Sequence, residues 1–177
     1  MFNKAAVILL ALGIGGPVGA NQGRFLARFA GGIGVIPVSN GIGPANADGT
    51  FPNVRLNVVR GVLPGGGPWR ISRLSANVFT DGRINVVGRG LLLASGNSIG
   101  QNADQSVFAT LICEAAAPFV EHSSINTVPL DANGNFRIDD MLDSVPQECP
   151  SPVLLIRNKA AGVWFAAGIP RRGNEKK

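Results

Sequence analysis

Short apolar runs separated by turn-forming residues are the feature that most limits what this chain can fold into. The clearest runs are residues 54–59, 69–79, 83–94, 106–113 and 153–157, and none has the sustained 3.6-residue periodicity of an amphipathic helix. Glycine, of which the chain has 24, fills the intervals together with proline, asparagine and aspartate. This pattern predicts an all-β fold, an antiparallel β-sandwich or small β-barrel of about eight to nine strands.

Two intervals are typical of β-hairpin turns. Residues 80–82 read Thr-Asp-Gly and residues 131–135 read Asp-Ala-Asn-Gly-Asn. Asp-Gly and Asn-Gly readily adopt the positive φ that tight hairpin turns need. By contrast, residues 31–53 are rich in glycine, asparagine and proline, and we expect them to form a long loop with one short strand.

Alternation of apolar and polar side chains locates the buried face of the first hairpin. Leu74, Ala76 and Val78 fall on one face of the predicted strand. Trp69 and Ile71 are out of phase with them, so a β-bulge is expected near residues 72–73. Trp69 and a second tryptophan, Trp164, are expected to anchor the core, with ligand stacking as the alternative.

The N-terminal segment is typical of a secretory signal peptide. Lys4 supplies a positive start, residues 5–16 are apolar, and small residues lead to a predicted cleavage site after Ala20. The apolar run is shorter than the roughly 20 residues of a membrane-spanning helix. The predicted organisation is therefore a signal peptide (1–20), one β-domain (21–170) and a disordered basic tail (171–177), in a secreted or periplasmic protein that does not span the membrane.

Export gives meaning to the two cysteines, Cys113 and Cys149. In an oxidising compartment they are predicted to form a disulfide, and the alternative is a pair of buried free thiols. Zinc is not expected, because two cysteines and the single histidine do not make a tetrahedral ligand set. No other cofactor is expected.

Five segments together carry a resemblance. They are GRFLARF (23–29), GRGLLLA (88–94), FRIDD (136–140), SPVLLIR (151–157) and WFAAGIP (164–170). With the signal peptide, they resemble a group of exported bacterial proteins without known function. The resemblance covers most of the chain after residue 20 and implies a compact secreted β-domain, and it supplies no catalytic residues.

Two sets of side chains suggest hydrolytic chemistry. Ser98 stands in a Gly-x-Ser-x-Gly pattern, and Asp104 and His122 follow in the chain order of an α/β-hydrolase triad. No helix is predicted after Ser98, however, and such a nucleophile sits on a strand-to-helix turn. Glu114 and Glu121 could form a glycosidase pair, but solvated loop carboxylates explain them equally well.

The 131–135 turn also has a weak metal-binding pattern. Asp131, Asn133 and Asn135 place oxygen ligands at alternate positions, and Asp139, Asp140 and Asp143 follow closely. The glycine and the bidentate glutamate of an EF-hand are missing, so an ordinary turn is the competing interpretation.

The formal charge of +5 bears on the choice of partner. Residues 21–170 are nearly neutral, since the excess of basic residues lies in the predicted signal peptide and tail, and nucleic acid is therefore not an expected partner. The most basic region is the first hairpin and its surroundings, where alternating positions could form a face for an anionic polymer or envelope partner, or only a solvated surface. The residues concerned are Arg60, Arg70, Arg73, Arg83 and Arg89.

The function predicted from these observations is that of an exported, non-enzymatic binding or structural module. The alternative is a small extracellular hydrolase that uses Ser98 with Asp104 and His122.

Overall fold

The computed structural model describes residues 23–40, 44–50 and 54–171, and these contain strands but no helix. The predicted signal peptide and residues 172–177 of the predicted tail lie outside the described residues. None of the described residues belongs to a helix long and apolar enough to cross a membrane. The strands are β1 (Phe25–Gly34), β2 (Val38–Asn40), β3 (Val54–Leu56), β4 (Trp69–Arg70), β5 (Arg73–Phe79), β6 (Arg83–Arg89), β7 (Leu92–Leu93), β8 (Ser106–Ile112), β9 (His122–Ser123), β10 (Val128–Pro129), β11 (Phe136–Met141), β12 (Val153–Asn158) and β13 (Trp164–Pro170).

Nine of the strands form one antiparallel sheet in the order β10-β8-β12-β13-β1-β5-β6-β11, with β9 also paired to β8. The sheet curls until its ends meet, where Ser124 forms an antiparallel bridge with Leu142. The Ile125 N–H donates to the Met141 carbonyl (3.1 Å), and the Asp143 N–H donates to the Ser123 carbonyl (2.8 Å). The predicted all-β fold of sandwich or small-barrel type is confirmed.

The hairpin of β5 and β6 follows the alternation in the sequence. Its turn closes with the Gly82 N–H donating to the Phe79 carbonyl (3.0 Å), and Gly82 adopts a φ of 89°. Leu74, Ala76 and Val78 are buried on the inner face. The outer face of this hairpin therefore consists of the intervening residues, most of them polar.

Residues 69–79 are not one strand with a bulge. The run is divided into β4, which pairs with β7, and β5, which pairs with β1 and β6. The interruption allows Trp69 to turn toward the core, where it is 6% exposed and its ring stacks on Phe165 at 4.1 Å between centroids. The out-of-phase positions of Trp69 and Ile71 thus mark a change of sheet.

Residues 31–34 extend β1 and are not part of a loop. Gly34 lies so close to β4 that a Cβ atom there would be 2.0 Å from the Trp69 carbonyl oxygen. The neighbouring Val35 N–H donates to the Phe165 carbonyl (2.8 Å) and its carbonyl accepts from the Trp69 N–H (3.0 Å). The glycines here permit two backbones to approach, which explains a glycine-rich segment inside a strand.

The strands β8 and β12 are buried on both faces. Thr110 and Leu155 are opposite each other and fully buried, on the face away from Leu154 and Leu111. The segment 57–64 covers the outside of the neighbouring β13, since the indole N–H of Trp164 donates to the Asn57 carbonyl (3.0 Å). Both tryptophans are therefore core anchors, as predicted.

The predicted disulfide between Cys113 and Cys149 is present, with Cα atoms 4.5 Å apart. Cys113 directly follows β8 and Cys149 shortly precedes β12, its neighbour in the sheet. The bridge encloses a sequence separation of 36 residues that includes β9, β10 and β11. It therefore ties the strand pair β8–β12 to the segment that closes the sheet.

Candidate functional site

The order Ser98, Asp104, His122 in the sequence does not become a contact in the fold. Ser98 and Asp104 lie in the loop between β7 and β8, where Asp104 is exposed with a φ of 50°. His122 lies in β9 and is 7% exposed. Among the described residues it hydrogen-bonds neither Ser98 nor Asp104.

His122 instead directs its Nδ1 at Ser144. This nitrogen lies 2.8 Å from the Ser144 Oγ and 3.1 Å from the Ser144 carbonyl oxygen. Because a carbonyl oxygen can only accept, the arrangement assigns the proton to Nδ1. The Ser144 hydroxyl in turn donates to Asp143 (3.1 Å). An Nδ1 that carries its proton cannot remove one from Ser144, so this contact positions the chain and does not activate a nucleophile.

The two candidate glycosidase carboxylates have separate structural partners. Glu114 accepts a hydrogen bond from the Val120 N–H (3.1 Å), which lowers the pKa of the carboxyl below its usual value. Glu121 forms an ion pair with Arg157, whose guanidinium also contacts the Thr110 hydroxyl. Each carboxylate therefore stabilises its own loop or strand.

Asp131 caps the turn that follows β10. One carboxylate oxygen accepts from the backbone N–H groups of Asn133 and Asn135, each at 2.8 Å, and the other accepts from the Asn135 side chain (3.0 Å). The hydrogen bonds from Asn135 and Asn133 hold the pKa of Asp131 below its usual value. These contacts are those of an Asx-type turn, so the competing turn interpretation accounts for Asp131, Asn133 and Asn135.

The aspartates that follow are likewise engaged one by one. Asp139 accepts from the Asn85 side chain, Asp140 from the Asn126 N–H (2.6 Å) and Asp143 from the Ser123 N–H (3.0 Å). Within residues 23–40, 44–50 and 54–171, no group of three or more histidine, cysteine, aspartate or glutamate side chains could hold a metal ion.

The five arginines predicted as one basic face are divided by the fold. Arg60 lies elsewhere, half-buried, with its guanidinium 5.2 Å from the Phe119 ring centroid and 2.8 Å from the Ser151 Oγ. Arg70 is exposed on β4, in a separate two-stranded sheet. The other three lie on the outer face of β5 and β6, because their neighbours along each strand are buried inside. These are Arg73, Arg83 and Arg89.

Strand pairing adds two further arginines to this outer face. Arg28 on β1 is directly opposite Asn77 of β5, and Arg137 on β11 is directly opposite Val87 of β6. We call the surface that carries these five residues the arginine face, formed by β1, β5, β6 and β11 and bearing Arg28, Arg73, Arg83, Arg89 and Arg137.

The rows of the arginine face follow from the register. One row crosses all four strands as Arg28, Asn77, Asn85 and Asp139. Neighbouring strands are about 4.8 Å apart and alternate residues along a strand about 6.8 Å apart. The arginines therefore lie on a regular lattice with short polar side chains between them.

Arg73 and Arg89 are directly opposite each other at one end of this lattice. Both are exposed, and neither forms an ion pair with any residue that the structure describes. Like charges at directly opposite positions destabilise an antiparallel pair. Nothing in the fold of the described residues compensates this repulsion, so the pair is available to an external anion.

Two carboxylates moderate the charge of the arginine face. Arg83 pairs with Asp81 of the hairpin turn (2.8 Å), and Arg137 lies 3.5 Å from Asp139. The hydrogen bonds from Arg83 lower the pKa of Asp81, so this carboxylate keeps its charge in mildly acidic solution. Five guanidiniums against two carboxylates leave the face basic.

The contributions of Arg28 and Arg137 were missed from the sequence although a signal exists. Each lies between two apolar residues that are buried, Ala27 and Phe29 for Arg28 and Phe136 and Ile138 for Arg137. Alternation therefore places both on an outer face. The order of strands in the sheet, which brings β1 and β11 to either side of the hairpin, is not visible in the alternation.

No protein-family model matches this chain, and no curated protein or solved structure matches it either.

Proposed function

We propose that this protein is an exported, non-catalytic binding domain that recognises a linear polyanion through the arginine face. The observation that carries the proposal is the directly opposed, unpaired Arg73 and Arg89. An anionic group between two guanidiniums turns their mutual repulsion into attraction, and planar guanidinium groups match carboxylate, sulfate and phosphate oxygens in bidentate geometry.

The residues between the arginines support a polymer over a single small anion. Ser75, Asn77 and Asn85 are polar, partly or fully exposed, and occupy the rows between the two ends of the face. Arg73 and Arg83 are at opposite ends of the hairpin, about 20 Å apart at the usual rise of a strand. A chain of anions can reach both ends at once, whereas a single anion cannot.

Export is part of the proposal for two reasons. Residues 1–20 have the pattern of a signal peptide, and the resemblance of the later segments is to exported bacterial proteins. The disulfide between Cys113 and Cys149 is compatible with an oxidising extracellular or periplasmic compartment.

The non-catalytic part rests on the commitments of the candidate side chains. His122 donates to Ser144, Glu121 pairs with Arg157 and Glu114 accepts from a backbone N–H. The alternative hydrolase would need Ser98, Asp104 and His122 to move together, and no contact of the described residues favours that movement.

The test is binding to heparin and to inorganic polyphosphate as a function of salt. The double variant Arg73→Gln/Arg89→Gln is compared with Arg55→Gln/Lys159→Gln, which removes the same charge from exposed positions on β3 and in the turn after β12. We expect the face variant to bind roughly tenfold or more weakly, with a salt dependence lower by about one log unit per lost contact.

Equal losses in the two double variants would show that only net charge matters and would refute the arginine face as the site. A single-stranded oligothymidine of matched charge serves as a third ligand. If it binds as tightly as polyphosphate, the expectation that nucleic acid is not a partner is wrong.

A further inference from the structure

We propose that a second site, an apolar groove at the end of the sheet where β1 begins, binds a single-chain anionic amphiphile. Such a ligand is an alkyl chain with one carboxylate or phosphate head. The groove has a volume of about 370 Å³. Its lining includes the apolar side chains of Phe25, Leu26, Pro152 and Pro170 and two basic residues, Arg28 and Arg171.

The fold gives this groove firm walls. β1 begins where its partner β13 ends, and the Arg171 N–H extends their ladder by donating to the Arg28 carbonyl (2.8 Å). Cys149, just before β12, lines the groove and is covalently attached to Cys113 at the end of β8. The groove is thus bounded by paired strands and by the disulfide.

Charge complementarity decides what occupies the groove. Arg28 and Arg171 are exposed, and neither forms an ion pair with a residue that the structure describes. The guanidinium of Arg28 lies 4.6 Å from the centroid of the Phe25 ring, which places it beside the apolar lining. The described lining residues include no carboxylate.

An anionic head next to an apolar tail satisfies both parts of this surface. The head pairs with Arg28 and Arg171, and the tail covers Phe25, Leu26 and the prolines. The volume falls in the range of small-molecule sites, about 300–1,000 Å³. A ligand without charge would leave both guanidiniums unpaired, and a small anion without a tail would leave the apolar lining in water.

This inference is independent of the proposed polyanion site except for one shared residue, Arg28. Arg171 belongs to the groove alone, whereas Arg73 and Arg89 belong to the arginine face alone. Variants at these positions therefore separate the two sites.

The test is calorimetric titration of the purified protein with octanoate, decanoate and dodecanoate below their micelle concentrations. At about fourfold per fully buried methylene, and less in an open groove, affinity is expected to rise roughly four- to sixteenfold from octanoate to decanoate. Decanol, the uncharged analogue, is expected to bind at least fivefold more weakly than decanoate. Backbone amide signals of residues 25–28 and 149–152 are expected to shift.

The variant Arg171→Gln is expected to weaken decanoate binding at least fivefold and to leave heparin binding unchanged. Lys159→Gln, which removes a charge from an exposed turn, is expected to change neither. Arg73→Gln/Arg89→Gln is expected to weaken heparin binding and to leave decanoate binding intact. Loss of heparin binding alone, or of decanoate binding alone, therefore identifies which of the two sites is affected.

Three results would overturn the amphiphile site. The first is an affinity independent of chain length, and the second is equal binding of decanol and decanoate. The third is binding to phosphatidylglycerol vesicles without binding to the monomeric acids, which would indicate a membrane surface as the ligand.

Discussion

Replacing Gly34 by alanine tests the closest backbone contact in the fold. The added Cβ would lie 2.0 Å from the Trp69 carbonyl oxygen and 2.8 Å from the Arg70 Cα. Both are backbone atoms, so a change of rotamer cannot relieve the clash. β4 must move away from β1, or the end of β1 must leave the sheet.

The expected loss of stability follows from what that movement disturbs. Inserting a methyl group into a well-packed site costs about 1–3 kcal/mol. The movement also pulls Trp69 from the Phe165 ring, and an aromatic pair contributes about 0.5–1.5 kcal/mol beyond its area. We therefore expect Gly34→Ala to lower the free energy of unfolding by about 3 kcal/mol.

Urea unfolding followed by tryptophan fluorescence measures this change, because Trp69 and Trp164 are both buried. Gly66→Ala is the matched control, since a Cβ at Gly66 meets no atom within 4 Å. Alanine there is expected to be neutral or to stabilise by up to about 1 kcal/mol through the unfolded chain. If Gly34→Ala unfolds within 0.5 kcal/mol of the wild type, roughly the scatter of surface substitutions, the close approach of β1 and β4 is wrong.

Two further predictions concern the disulfide and the turn after β10. Cys113→Ala/Cys149→Ala is expected to lose about 2–4 kcal/mol, measured as a thermal midpoint lower by roughly 6–15 °C, and an unchanged midpoint would contradict a stabilising role for the bridge. The pKa of Asp131 is lowered in the folded state, chiefly by the Asn135 N–H, so its stabilisation is present above the unfolded pKa and lost as pH falls through the folded pKa. Asp131→Ala is therefore expected to reduce the urea midpoint at pH 7 and to narrow the difference between pH 7 and pH 3, and an equal difference in both proteins would count against this cap.

Local patterns in the sequence predicted those parts of the fold that depend on near neighbours. The turn at residues 80–82 and the inward alternation of Leu74, Ala76 and Val78 both depend on contacts within one hairpin. The disulfide was predicted because only one pair of cysteines exists. In these cases the residues themselves restrict the structure to few alternatives.

Features that depend on distant segments were predicted poorly. The glycines of residues 31–34 indicate a loop by composition, but here they allow Trp69, far along the chain, to approach β1. Arg60 lies within the basic region of the sequence, yet its segment packs against Phe119 on another part of the surface. Composition records neither approach, because each depends on which strands become neighbours.

The order of strands also explains how a nearly neutral domain acquires a basic face. Residues 21–89 contain eight basic and two acidic residues, whereas residues 90–170 contain three basic and eight acidic residues. The strands β1, β5 and β6 all come from the first part and are adjacent in the sheet, while β8, β12 and β13 come from the second part and are also adjacent. An asymmetry along the chain thus becomes an asymmetry across the sheet, and the overall charge of this protein is a poor guide to the ligand that its arginine face would attract.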